Sequence, residues 1–570
     1  MTRCIHCTRC IRFLREIAGN YSLGMLGRGQ LSEIGLYTKN VLISELSANI
    51  IDFCPVGALT NKNFALNYRS WDSYYIDSID IMDPFLSSVR IYHDNLKIRR
   101  ILSNYNNVFD AYWISDKSRF FFDSLKIQRL TFPLILKKNS LFDNNNKYNL
   151  FYVAISWKNI SNCLKDYINN NSKKLLIKSF LGDFIDLETI SELKYLTLKS
   201  GSNLFINKTE FNNFEINNNN LNFDKESNYI NTSKYALNEY DFYIFYNYNL
   251  RIENPIFNSK LRQKVIWFNF SNLYFFGTNY NLTYKYYHLS NSNIEFINFL
   301  SGKHWVCNIL LKYNKICFIY GNTVFQDFFI KKSWLYYYNK LQIFKNNLFK
   351  FKKKEFNIIY LTSSISSISS FDLVFINKIN LNEYSENKNF INYYIGLNQL
   401  NIKITDLIKN NLFKNCFNIY QNSFFDQNFN FCNLMLPVYN CFEIENQFFI
   451  NSMGLIKQNT KLEQNFEEFI KTNSDSLKFL FKVINFNYKS ELIFKLDDFL
   501  PIEFFKKIRK FFIFNNKKLY FINFGLIKYK NFYLISLNKN FYKSNIYCFY
   551  SKQLNMMSNL FFKDKSNFNL

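Results

Sequence analysis

Glycine is scarce in this chain, with 14 in 570 residues, and only 6 prolines and 4 histidines accompany it. A fold that cradles a nucleotide or pterin phosphate needs glycine-rich turns whose amides face the anion, and such turns are not evident. The motifs G-x-S-x-G, H-E-x-x-H, G-x-x-x-x-G-K-[ST] and G-x-G-x-x-G are all missing, so no independent catalytic site is expected. His288 and His304 stand isolated, and His304 with Cys307 is a helical i, i+3 pair of the kind ordinary packing produces. No run of eighteen apolar residues occurs, which excludes a hydrophobic membrane-spanning helix. Neither a signal peptide nor an amphipathic presequence is expected from Met1-Thr2-Arg3, which leads straight into Cys4.

What is present is a composition pushed toward Phe, Tyr, Asn, Lys and Ile, with 66 Phe and 41 Tyr. These residues have A/T-rich codons, so an AT-biased genome such as an organelle's is the simplest cause. The net charge of +26 is spread along the whole chain, which favours that drift over a nucleic-acid footprint. Two local basic clusters, 350–354 and 505–510, read as solvated faces, with a subunit or phosphate contact as the alternative. The length implies several domains. Against the drift, 6 of the 14 glycines fall within residues 1–57, where positive φ or close approach to a cofactor is expected of them.

The same stretch carries Cys4, Cys7 and Cys10 as C-x2-C-x2-C, and Cys54 followed by Pro55, with 43 residues between Cys10 and Cys54. Three thiols on a tight loop plus a distant Cys-Pro match the way proteins hold a cubane of iron and sulfide. A structural zinc site is the competing reading, but it usually pairs its cysteines as two C-x2–4-C units. A disulfide framework belongs to small secreted chains and does not suit this one. Arg3, Arg9, Arg12 and Arg15 surround the thiols, where cations would ease reduction of an anionic cluster or meet a partner chain. His6 lies between two of the cysteines and either bonds the cluster's surroundings or faces solvent.

The pattern predicts a helix over 11–18 capped by Gly19, and a second over 44–53 that delivers Cys54. Period-two alternation predicts strands at 74–81, 88–92 and 96–101, joined by a turn at 93–95. From about 150 onward, short apolar runs at 175–177, 242–245, 265–268, 316–319 and 358–361 alternate with helix-sized segments, the mark of a parallel α/β region. Asn144–Asn146, Asn217–Asn220 and Ser363–Ser370 read as loops. Cys163 reads as a buried helical thiol.

Cys4-Ile5-His6-Cys7-Thr8-Arg9-Cys10-Ile11-Arg12-Phe13, Gly27-Arg28-Gly29 and Ser44 through Thr60 with its Cys54-Pro55-Val56-Gly57-Ala58-Leu59 resemble one family. It is the largest hydrophilic iron–sulfur subunit of respiratory complex I, NADH:ubiquinone oxidoreductase. Ser78-Ile79-Asp80-Ile81-Met82-Asp83 and Trp113 through Phe120 extend the likeness over residues 3–135. Asn249-Leu250-Arg251-Ile252-Glu253-Asn254-Pro255 with Arg262, and Leu436-Pro437 with Glu443, Asn451 and Gly454, continue it more thinly.

The resemblance implies an α/β protein in three parts. These are a ferredoxin-like [4Fe-4S] unit at 1–66, a β-rich unit at 67–125, and a degenerate molybdopterin-oxidoreductase-like, doubly wound scaffold at 126–570. Cys4, Cys7, Cys10 and Cys54 would ligate one [4Fe-4S] cluster in the electron wire between flavin and quinone. No molybdenum or molybdopterin is expected, since Tyr246-Asn247 stands where pterin-bearing relatives have a glycine-containing turn. The implied setting is the mitochondrial complex I arm on the matrix side, with an organelle-encoded chain. The partners would be the flavin and NADH-binding subunits and a separate chain bearing the binuclear and second tetranuclear clusters with which this family normally begins. Two alternatives stand beside this: an active molybdopterin oxidoreductase of formate-dehydrogenase type, and a basic organellar RNA-associated protein with a structural zinc.

Overall fold

The computed structural model describes residues 2–37, 42–65, 67–94, 97–105, 112–138, 150–170, 176–200, 204–206, 240–321, 337, 340–341, 343–344, 355–361, 369, 390–397, 417–426, 429–444, 447–451, 456–460, 470–483 and 540–567. The cysteine-rich start is built from very short pieces. Helix α1 (Arg9–Arg12) runs directly into a π-helical segment, Phe13–Ala18, and ends on Gly19 at φ +73°, whose N–H bonds Leu14 O. The expected apolar side is buried, with Phe13, Leu14 and Ile17 joining Cys10 in one core. Nothing in six residues of sequence separates π from α winding, because both bury the same three side chains.

Strands β1 (Leu23–Leu26) and β2 (Glu33–Leu36) form an antiparallel hairpin. The helix expected over 44–53 is shorter than its pattern: a 3-10 turn, Ser47–Asn49, precedes α2 (Ile50–Phe53). Ser44 Oγ accepts from Leu46 N at 3.3 Å, and Asn49 donates its side-chain amide to Leu46 O at 2.9 Å. Such local side-chain bonds compete with helix at its start.

The three expected strands form with shifted bounds: β3 (Tyr74–Ile79), β4 (Ser88–Asp94) and β5 (Lys97–Ser103) make an antiparallel sheet with Ile76, Ile91 and Ile101 in register. The strand β4 continues through His93 and Asp94, and Asn95 of the expected turn lies outside the described residues. Helix α3 (Asp116–Phe120) follows, capped by Ser115, whose hydroxyl accepts from Ser118 N. The far end of the chain packs back here. Tyr542, Ile546, Tyr547 and Leu554 share a core with Val89, Ile91, Phe120 and Phe121.

Beyond it lies the mixed α/β region. Its strands in chain order are β6 (Leu134–Lys138), β7 (Leu150–Ala154), β8 (Leu176–Leu181), β9 (Leu204–Ile206), β10 (Phe242–Tyr246), β11 (Leu273–Phe276), β12 (Tyr287–Ser290), β13 (Lys315–Gly321), β14 (Glu355–Leu361), β15 (Phe390–Ile395), β16 (Phe417–Asn422) and β17 (Leu434–Pro437). A seven-stranded sheet of order β7-β6-β17-β16-β15-β8-β9 is parallel from β17 to β9 and antiparallel at its β6–β7 edge. Between β9 and β15 the chain builds a second, wholly parallel sheet, β12-β11-β10-β13-β14. Both faces of β10 are buried, which explains its unbroken apolar run.

One strand expectation fails. Val265, Ile266 and Trp267 close a helix, Pro255–Trp267, and Trp267 and Phe268 are exposed. A short apolar run does not distinguish a strand from a helix end; Pro255 at the first turn, with Ile256, Phe257 and Leu261 buried, decides for helix. Cys163 is half-buried on the helix Trp157–Asn170 rather than fully buried, since it lies beside the helix's inward residues Ile160 and Leu164. The Asn-rich runs, most of 363–370 and both basic clusters lie outside the described residues. Among the described residues no helix is long and apolar enough to cross a membrane.

Asp80 is 1% exposed, and burial with the neighbouring Asp83 charge pushes its carboxyl up to about 7. The folded state therefore holds a proton there that the unfolded chain releases near pH 4, so this group's contribution to stability falls as pH rises from about 4 to about 7. Asp80→Asn should flatten that part of the profile and raise the urea midpoint at pH 8; equal pH slopes for both chains in urea melts would contradict it.

Candidate metal centre

The loop that carries the first three cysteines curls by placing two non-glycine residues, His6 at φ 54° and Thr8 at φ 57°, in the left-handed region. Each costs on the order of 1 kcal/mol. The turn aims His6 N–H at Cys4 Sγ, 3.4 Å away, while the exposed His6 side chain points outward. Thr8 then opens α1, which buries Cys10 to 7% exposure.

From the other side α2 hands the chain to Cys54 in extended conformation. Pro55 ends the helix, and Gly57 at φ +65° turns the following amides back. Ala58 N and Leu59 N donate to Cys54 Sγ at 3.2 and 3.4 Å. Burial raises the Cys54 thiol, but the amides of Leu59, Ala58, Val56 and Gly57 outweigh it and hold the thiol below its ordinary value. Amides aimed at sulfur stabilise a thiolate, which is the form that binds metal. Cys10 goes the other way, raised by its burial.

All four thiols line one recess, together with Arg9, Ile34, Phe53 and Leu59. No three His, Cys, Asp or Glu side chains among the described residues crowd one point in the manner of a single-ion site. A zinc ion needs every sulfur about 2.3 Å from one centre. Four soft thiol donors on one recess, three of them from a C-x2-C-x2-C loop, are the donor set that a cubane takes, so the residues present fit a cluster. Arg9, Arg12 and Arg15 are exposed, with only Arg9 in the recess lining.

The helix bearing Cys54 is held from outside its own segment, by residues whose role spacing did not reveal. Asp116 accepts from Ser47 Oγ at 2.6 Å and Ala48 N at 2.9 Å, satisfying the start of the turn that leads into α2. Arg119, 3% exposed, grips Asp52 at 3.0 and 2.5 Å and Asn49 Oδ1 at 3.0 Å. Phe13, Phe53 and Trp113 pack against one another at 5.1 to 5.8 Å between rings, the Phe13–Phe53 pair stacked and the two pairs with Trp113 tilted. In the structure the polar run 115–119 is buried, as charged residues are when they are paired.

The other candidates are engaged in capping and packing. His304 caps its helix by accepting from Val306 N, and His288 sits within bonding distance of Gly277 O and Asn291 Oδ1. Burial pushes Cys441 up to about 12, and Cys307 and Cys548 up to about 11, the behaviour of packed thiols.

The parallel sheet has its topological switch at β10, where β11 and β13 flank it, and the crevice beyond such a switch is where ligands of this architecture sit. At that end of the sheet two glycines are packed closely against the chain. A Cβ on Gly321 would lie 1.9 Å from the Tyr248 ring, and one on Gly277 would lie 2.9 Å from Asn247 Cα. Asn247 itself is left-handed at φ 42°, and Tyr280 donates to its Oδ1 at 3.3 Å.

Residues 1–60 match the model of the NADH-quinone oxidoreductase subunit 3 ferredoxin-like domain, and 74–123 that of the NDSU1/NuoG-like 4Fe-4S domain. Residues 129–471 match the molybdopterin oxidoreductase family. The chain is 32% identical to the NADH-ubiquinone oxidoreductase 75 kDa subunit of Acanthamoeba castellanii, over 99% of this chain and 78% of that one. The chain belongs to the NADH-ubiquinone oxidoreductase 75 kDa subunit family. The Reclinomonas americana 75 kDa subunit is also 32% identical, over 81% of this chain and 64% of its own length. An iron-sulfur protein 1 of mitochondrial NADH dehydrogenase from Solanum tuberosum is 34% identical over 57% of this chain and 42% of its own. The expected family and fold class, cluster-binding units ahead of an α/β region, are thus met, and neither the formate-dehydrogenase-type nor the RNA-associated alternative is favoured.

Replacing Arg119 with Ala leaves Asp52 and Asp116 without their cation at the base of α2. The loss should be about 3 kcal/mol, with cluster content falling because Cys54 is no longer held. Urea unfolding together with iron and acid-labile sulfide assays checks both; an unchanged midpoint would refute the clamp.

Proposed function

We propose that Cys4, Cys7, Cys10 and Cys54 hold one [4Fe-4S] cluster, and that the chain relays single electrons through it between the flavin side and the quinone side of NADH:ubiquinone oxidoreductase. The observation that carries this reading is the convergence of four thiols on one recess with peptide amides directed at Cys54 Sγ. The cluster would supply a one-electron couple; the chain supplies everything that tunes it. The amides of Ala58 and Leu59 stabilise the negative sulfur, Arg9 places a cation at the rim, and Phe53 and Ile34 keep water from the inner wall.

In this reading residues 1–66 are the cluster unit, 67–125 brace it, and 126–570 are a scaffold without molybdenum or pterin. Tyr248 against Gly321 supports the last point. Electrons enter and leave through redox groups on neighbouring complex I subunits. The mitochondrial relative from Solanum tuberosum and a composition rich in residues with A/T-rich codons support a place in the peripheral arm on the matrix side, and an organellar gene.

The assembled wild-type protein should contain roughly four iron for this site and no molybdenum. Cys54→Ala should remove the corresponding low-temperature EPR signal and its acid-labile sulfide. An EPR spectrum unchanged by that substitution would refute the ligand assignment.

A further inference from the structure

The helix that carries Cys10 ends on carbonyls that its own segment cannot satisfy. Arg262, from the α/β region and 2% exposed, takes them. Its Nε donates to Glu16 O at 3.0 Å and one terminal nitrogen to Arg15 O at 2.8 Å, while the other bonds Thr283 O. One planar fork thus ties the carboxyl end of the Phe13–Ala18 segment to the loop before β12. A cation at that end also opposes the helix's negative pole. The cap residue leaves no slack: a Cβ on Gly19 would sit 2.8 Å from Arg262 Cζ and 2.5 Å from Thr283 Cβ.

We propose that Arg262 is a positioning residue for the metal centre, fixing the depth at which Cys10 enters the recess by anchoring the far end of its helix to the scaffold. The inference rests on the ligand reading above. Cys10, Phe13, Leu14 and Ile17 share one core, so a shift at residues 15–19 is passed to the thiol through packed side chains and a continuous run of helical bonds. The scaffold would therefore set the geometry of the cluster without touching it.

The test compares the wild-type chain with Arg262→Gln, Arg262→Lys and Gly19→Ala, each in the assembled complex. Iron and sulfide contents come first, because their absence from the wild type would sink the ligand reading itself. With the cluster present, Arg262→Gln should broaden and shift its EPR g-features and lower its midpoint potential. Arg262→Lys should restore the potential but not the linewidth, since a point charge cannot fork across two carbonyls. Gly19→Ala keeps the cation and displaces it, so it should broaden the signal likewise; it decides alone if Arg262→Gln does not accumulate. Loss of this cluster alone from assembled Arg262→Gln also supports the anchor. Wild-type g-values and potential in Gly19→Ala, or in accumulated Arg262→Gln, would overturn it.

Discussion

The structure depends on bringing a thiol at position 54 against a loop that ends at position 10 and keeping it there. Neither side has much to work with. Helix α1 and helix α2 are each four residues long, far below the length at which a helix sustains itself. Each borrows its rigidity from elsewhere: α2 from Asp116 and Arg119, and the continuation of α1 from Arg262. The cluster unit is thus covalently compact but mechanically incomplete. Its two halves are registered by segments that begin more than fifty residues later. The Arg251–Glu45 ion pair at 2.9 Å is a further tie between the α/β region and the cysteine unit.

Much of the site was legible because its chemistry is local. Three cysteines spaced by two residues converge only if the backbone curls, and His6 and Thr8 show how, in a conformation rare for residues other than glycine. Gly57 was legible by its survival in a glycine-poor chain, and it supplies the reversal that points two amides at Cys54. The clamps were not legible. Arg119 and Asp52 are separated by 67 positions and Arg262 and Glu16 by 246, and no periodicity links residues that far apart. What a sequence does offer is the oddity of charged residues inside an otherwise apolar run, as at Asp116-Lys117-Ser118-Arg119.

The fold shows the same division. Strands buried on one face, such as β4, alternate and were readable; strands buried on both faces, such as β10 and β13, appear as plain apolar runs. The run at 265–268 has the same appearance but ends a helix, because Pro255 had already set the backbone ten residues earlier. In a chain this rich in Phe and Tyr, apolar runs lose discriminating power. Aromatic residues also occupy helix ends and exposed positions, as Trp267 and Phe268 do.

Glycine, being rare, is the better witness to what the scaffold is for. In the α/β region Gly182 stands where a Cβ would meet Gly396 O at 1.9 Å, so the pair lets two loops at the ends of β8 and β15 touch. Gly321 admits the Tyr248 ring, and Gly277 admits the backbone of Asn247. In each case the room glycine leaves is taken by the chain itself. A phosphate-binding turn uses glycine to leave amides open to an anion; these use it to close protein against protein. The α/β region has the layout of a ligand-binding fold, but these four glycines serve close packing, and Arg262 ties that packed region to the segment continuing from Cys10.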